Sequence, residues 1–123
     1  MAALLAERRR GDRPADNVVI SSFGLTTIDA VKTADPTLLT GWITFTALDQ
    51  DWALVTAVEH GHEALHPQEQ AITRELVEKA QAEGMAVRAW TVDAPDRLRE
   101  LDSFGVDALI TNDVALALET IRA

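Results

Sequence analysis

"AWTVDAPDRLRELDSFGVDALITND" runs from Ala89 to Asp113. An apolar run closes in Trp90-Thr91, and a helical pattern follows with Pro95 in its first turn and Gly105 behind its last. A second apolar run then ends in Thr111-Asn112-Asp113. Proline suits the first helical position and glycine the residue after the last, so both ends of the helix are marked. Strand, helix and strand in so short a span make the unit of a parallel α/β fold.

The same unit recurs upstream. Five apolar runs stand at Val18–Ser22, Trp42–Phe45, Glu63–His66, Val87–Thr91 and Ala108–Thr111. Their starts lie roughly 20–25 residues apart, enough for a strand, a helix and two short loops. "LTTIDAVKTA" follows the first run, with Pro36 beyond it. "DQDWALVTAVEHG" follows the second, from an acidic start near Asp49 to Gly61. "TRELVEKAQAEG" follows the third, with Thr73 as N-cap, Leu76, Val77 and Ala80 on one face, and Gly84 as the stop. "DVALALETIRA" closes the chain, and "MAALLAERRRGDR" reads as a preceding amphipathic helix over Ala2 to Arg10.

Strict strand–helix alternation implies a parallel sheet covered by helices. Continuous apolar strands agree with it. Periodicity leaves two architectures open, an open doubly wound sheet or part of an eight-fold barrel. Both place functional side chains at the C-terminal ends of strands. That isolates Ser21, Ser22, Phe23, Phe45, His66, Trp90, Thr91, Asp93, Thr111, Asn112 and Asp113.

Composition narrows the function classes. Of 123 residues 47% are hydrophobic and 25% charged, which suits a packed core. The net charge of −9 disfavours a nucleic-acid partner. The absence of cysteine removes disulfides and thiol chemistry. No apolar run approaches the roughly 18 residues of a membrane span. The N-terminal stretch lacks the pattern of a signal peptide, so the expected location is the cytoplasm.

Among the strand-end residues, Ser21 and Ser22 precede a helix, where hydroxyls can hold a phosphate with helix N–H groups, but they suit local backbone capping better. No G-x-S-x-G elbow surrounds them, so neither reads as a nucleophile. Trp90 is large, with one N–H donor, and can wall a pocket for a small polar molecule. Trp42 and Trp52 read as core and helix-packing residues. Asp93 and Asp113 read as caps of the helices that follow them. His60 and His62 in "EHGHE" form a His-x-His-Glu cluster of metal-binding type, but they fall between a helix and the next strand, at the opposite end from the strand C-termini, and read as a surface loop. No residue is assigned as catalytic or as a metal ligand.

"VVISSFG" (Val18 to Gly24), "AWTVDAP" and "GVDALITND" (Gly105 to Asp113) resemble the glycerophosphodiester phosphodiesterase family. That family shows a Ser-Phe strand end, a Trp-Thr-Val-Asn segment and a Gly-Val-Asp segment ending in Thr-Asp, in this order. "ITRELVEKAQAEGMAV" (Ile72 to Val87) is similar to the helix between them. The resemblance covers Asn17 to the C-terminus. It implies a partial TIM (β/α)8 barrel of about five parallel βα units, strands four to eight of the family barrel. Residues 1–123 then form a single partial domain, with 1–16 the preceding helix and loop and 17–123 the five units.

The resemblance also implies chemistry. The family hydrolyses glycerophosphodiesters to an alcohol and glycerol 3-phosphate, using a divalent metal (Mg or Ca) and two histidines. Its His-Arg-Gly, Glu-x-Asp, His-Asp and Glu-x-Lys motifs have no counterparts in these residues, and the usual Asn after Trp-Thr-Val is Asp93. What the resemblance leaves is a substrate-binding wall of Ser22, Phe23, His66 and Trp90. The chain is then expected to be inactive alone. The alternative is a non-catalytic binding or oligomerisation module that keeps this wall. A partial barrel has two sheet edges, and Val19, Ile43, Val87 and Leu109 are expected to face its interior. Self-association or a complementing N-terminal segment would cover them.

Overall fold

The computed structural model describes residues 18–122. The helix expected over Ala2 to Arg10 lies outside the described residues. The elements alternate as the sequence predicts. They are β1 (Val19–Ser22), α1 (Leu25–Ala34), β2 (Leu39–Thr44), α2 (Gln50–Glu59), β3 (Ala64–Pro67), a single 3₁₀ turn (Glu69–Ala71), α3 (Arg74–Ala82), β4 (Ala86–Ala89), α4 (Pro95–Phe104), β5 (Ala108–Leu109) and α5 (Val114–Arg122).

Local chemistry fixes the helix ends. Asp49 accepts a hydrogen bond from the Trp52 N–H at 3.1 Å, and Thr73 accepts one from Leu76 N–H at 3.1 Å. Asp113 caps α5 through Leu116 N–H, and Pro95 opens α4. Asp93 departs from expectation. It does not cap α4 but accepts from the hydroxyl of Thr111 and from the backbone and side-chain N–H groups of Asn112. The two rim loops are thereby tied together.

All pairings are parallel and the strand order is β1-β2-β3-β4-β5. This order separates the two architectures that periodicity left open. A doubly wound sheet reverses strand order at a switch point and places helices on both faces. Here the order never reverses, and right-handed crossovers then put every helix on the same side, as in an arc of a barrel.

The register divides the side chains between faces. Leu65 pairs with Val87 and with Trp42, and Ala89 pairs with Leu109. This set packs on Ile28, Leu54, Leu76, Val77, Leu98 and Leu101 from the helices, forming the core. The opposite face carries Val19, Gly41, Ile43, His66, Arg88 and Ala108. Val19 and Ile43 thus lie on the open face as expected. Val87 and Leu109 do not: each sits one residue out of phase and joins the helix-covered core, since a period of two sends neighbouring residues to opposite faces.

Strand bounds also shift. β2 begins at Leu39, three residues before the apolar run that marks it, because pairing with β1 recruits Thr40 and Gly41 into the ladder. Thr91 and Thr111 lie beyond their short strands, where Thr111 bonds Asp93 rather than a ladder partner. No helix among the described residues is long and apolar enough to cross a membrane.

The two faces differ in energetic weight. Leu65, fully buried against the helices, should lose about 2–5 kcal/mol of stability on Leu65→Ala. Half-buried Ile43 on the open face should lose less than half as much on Ile43→Ala. Urea unfolding of both variants checks this, and equal losses would contradict the assignment of faces.

Candidate functional site

Three rings converge at the C-terminal rim of the sheet. Phe23 follows β1, Phe45 follows β2 and Trp90 follows β4. Phe23 and Phe45 stack with centroids 4.6 Å apart. Trp90 meets them edge-on at 5.6 and 5.8 Å. Phe23 and Phe45 are about half exposed, and with Trp90 they form a contiguous aromatic patch of the kind that marks a binding surface or an interface. Phe23 is held from behind, since its carbonyl accepts from the Trp42 indole N–H at 2.9 Å. Ser22 shapes the same turn, with its hydroxyl accepting from Gly24 N–H at 3.1 Å. The register aligns Ser22 with Trp42, toward the helices, and Ser21 with Gly41, on the open face.

Trp90 is fixed through backbone and side chain. Its indole N–H donates to the His66 carbonyl at 2.7 Å, and its own carbonyl accepts from Glu69 N–H at 2.7 Å. Arg97 in turn clamps that loop, pairing with Glu69 at 2.7 Å and donating to the Ile72 carbonyl at 3.0 Å. The rim loop after β3 is therefore tied to α4 and cannot drift from the tryptophan.

His66 lies on the open face, buried beneath this rim. Its Nε2 faces the Arg88 guanidinium at 3.2 Å and sits over Gly41, where an added Cβ would come within 2.7 Å of it. Burial first, and the Arg88 charge second, lower its pKa from 6.5 to about 4. At neutral pH it is a neutral acceptor for Arg88. Among the described residues no carboxylate pairs with Arg88. An arginine with no acidic partner among the described residues, half-buried on the open face next to His66, is suited to an anionic group such as a phosphate.

Sequence reasoning missed Arg88, because it stands inside the Val87–Thr91 run read as apolar. Phe45 was on the strand-end list, but its stacking on Phe23 was not foreseeable from residues so far apart. His60 and His62 also differ from expectation. His62 is buried rather than part of a surface loop, and Asp29 of α1 lies against both imidazoles. These three form a group of metal-ligating type at the N-terminal end of the strands.

The model of the glycerophosphoryl diester phosphodiesterase family matches residues 1–116. The chain belongs to that family. It is 31% identical over 107 residues to a glycerophosphodiester phosphodiesterase of Caldanaerobacter subterraneus subsp. tengcongensis, covering 87% of this chain and 43% of the relative. In fold it is similar to an Oleispira antarctica phosphodiesterase solved with the product sn-glycerol-3-phosphate. The TM-score is 0.81 and the identity 20%, over 99% of this chain and 49% of that one. A Silicibacter pomeroyi structure assigned to glycerophosphoryl diester phosphodiesterases matches with a TM-score of 0.84 and 23% identity, over 99% of this chain and 43% of that one. The chain spans less than half the length of each of these relatives, and its five parallel units are a part of their barrel.

The family is generally metal-dependent. Mg²⁺ and Ca²⁺ take oxygen ligands in sets of six or more. The described rim offers no such set. Asp49 and Asp113 cap helices, Glu69 is paired with Arg97, and Asp93 holds Thr111 and Asn112, whose hydrogen bonds keep its carboxyl below the usual range. The rim residues described do not fit that metal.

Two outcomes test this geometry. The unfolded state takes up a proton at His66 near pH 6.5, whereas the folded state excludes it down to about 4. Stability attributable to neutral His66 is therefore lost as pH falls through that window. Comparing wild type with His66→Gln by urea unfolding, the wild type should lose about 2 kcal/mol more between pH 7 and pH 5. Separately, Gly41→Ala should destabilise by about 1–3 kcal/mol through its clash with the imidazole. Adding His66→Ala should recover part of that loss in a double-mutant cycle.

Proposed function

We propose that this chain supplies the substrate wall of a glycerophosphodiester phosphodiesterase, in a barrel completed by strands outside these residues. The reaction is metal-dependent hydrolysis of a glycerophosphodiester to an alcohol and glycerol 3-phosphate, within lipid and glycerol metabolism in the cytoplasm. The observation that carries this reading is the convergence of Phe23, Phe45 and Trp90 on the rim above Arg88.

Each residue then has a task. Phe23, Phe45 and Trp90 contact the apolar edge of the glycerol unit. Arg88 holds phosphate oxygens, for which its planar fork is suited. His66 orients Arg88 as a neutral acceptor and walls the pocket floor. Ser22 sets the turn that presents Phe23. None of these donates a proton to a leaving alkoxide at neutral pH, so the acid–base residues and metal ligands belong to the completing strands. Those strands, or a second copy of the chain, also cover the edges of β1 and β5.

The purified chain should bind sn-glycerol 3-phosphate in calorimetry. Arg88→Gln should weaken binding roughly tenfold, the worth of a charged hydrogen bond. Trp90→Ala should weaken it severalfold. The same chain with Mg²⁺ or Ca²⁺ should release no glycerol 3-phosphate from glycerophosphocholine. Turnover that persists through purification and vanishes on His66→Ala would overturn the division of labour proposed here. Absence of binding would overturn the wall itself.

A further inference from the structure

At the other end of the sheet a second constellation stands apart from the rim. Asp29 lies on α1, His60 caps the C-terminus of α2, and His62 precedes β3. The His62 side chain is fully buried, with Nε2 2.7 Å from Asp29 Oδ1. His60 is partly exposed, with Nδ1 2.9 Å from Asp29 Oδ2. One ligand atom from each of the three lies within 4.8 Å of the others. Gly61 between the histidines has φ of +80°, which turns the chain so that both imidazoles face one carboxylate. Their ring centroids lie 6.3 Å apart, with the planes inclined by 30°.

The surroundings orient this group. His62 Nδ1 is 2.6 Å from the Thr40 hydroxyl. That hydroxyl points to Glu63 Oε1 at 3.4 Å, and Glu63 is anchored by Lys32 at 2.6 Å and by Thr40 N–H at 2.8 Å. At 2.7 Å from a carboxylate, Nε2–H of His62 donates to Asp29, and Nδ1 accepts from the Thr40 hydroxyl. A metal at Nε2 would displace that proton; the Thr40 hydroxyl can then turn to Glu63 and accept from Nδ1–H, an outer partner of the kind that orients metal-binding histidines. Among the described residues, the Asp29 carboxylate meets the two imidazoles and no lysine or arginine.

We propose that Asp29, His60 and His62 bind a first-row transition-metal dication of the Zn²⁺ type. Two imidazole nitrogens and one carboxylate oxygen are the donors such ions prefer, whereas Mg²⁺ and Ca²⁺ prefer all-oxygen sets. Zinc with ligands at about 2.0–2.2 Å needs the present nitrogen–oxygen pairs to part by roughly half an ångström. The partly exposed His60 can supply that movement. Its open side leaves a fourth position for water. The ion would join α1, α2 and β3 at the N-terminal end of the strands, where a barrel keeps its stabilising features. Thr40 acts as a positioning residue, through His62.

The test is calorimetric titration of the folded, chelator-treated chain with ZnCl₂, alongside histidine side-chain ¹H–¹⁵N spectra. The expected result is one Zn²⁺ per chain, with shifts at His60 and His62 and none at His66. His60→Ala and Asp29→Asn, at partly exposed positions that leave the core intact, should each weaken binding at least tenfold. Thr40→Val should weaken it, and Thr40→Ser should restore it. An excess of MgCl₂ or CaCl₂ should not displace the ion. No uptake, or uptake that survives both His60→Ala and Asp29→Asn, would overturn the proposal.

Discussion

Everything in this structure depends on a parallel ladder whose strand order never reverses. Because β1 to β5 pair in sequence order, every crossover turns the same way and every helix falls on one face. The register then decides the use of each residue. Leu65, Val87 and Ala89 fill the helix layer, while their neighbours His66 and Arg88 emerge on the other side. A slip of one residue would bury an arginine and a histidine under the helices and expose the core, so burial itself enforces the register.

That division explains how a rim can be both exposed and well ordered. The half-exposed rings of Phe23 and Phe45 are costly in water, yet each is carried by a turn whose backbone groups are satisfied from behind. Trp42 holds Phe23, the His66 carbonyl holds Trp90, and Arg97 holds the loop beside it. Packing on the helix side thus positions side chains on the open side. Beneath the rim, the low pKa of His66 lets a cation stand beside an imidazole without two positive charges meeting. A cation with no carboxylate partner among the described residues remains available to an anion.

Much of this was legible in the sequence. Helix ends were marked by Asp49, Thr73 and Pro95, and each serves as its chemistry suggests. The order of the motifs at Val18, Ala89 and Gly105 pointed to the family and to its partial barrel. Three things were not legible. Strand order is a long-range property, so periodicity alone left two architectures standing. The facing of Val87 and Leu109 depends on a register that alternates residue by residue, and a continuous apolar run carries no such phase. The meeting of Asp29 with His60 and His62 joins a helix face to a loop 31 and 33 residues away, which no local pattern encodes. Asp93 departs from its local pattern for a related reason: a carboxylate before a helix looks like a cap, but Thr111 and Asn112 across the rim compete for it successfully.

The register is also the claim most open to direct measurement. Cross-strand nuclear Overhauser effects in the ¹⁵N,¹³C-labelled chain report which backbone protons are neighbours. The account predicts contacts of β3 with both β2 and β4, with Leu65 beside Trp42 and Val87, and of β1 with β2 alone. Contacts of β1 with β3 or β4, or a register in which Leu65 aligns with Ala86 or Arg88, would contradict the barrel arc and the site built on its open face.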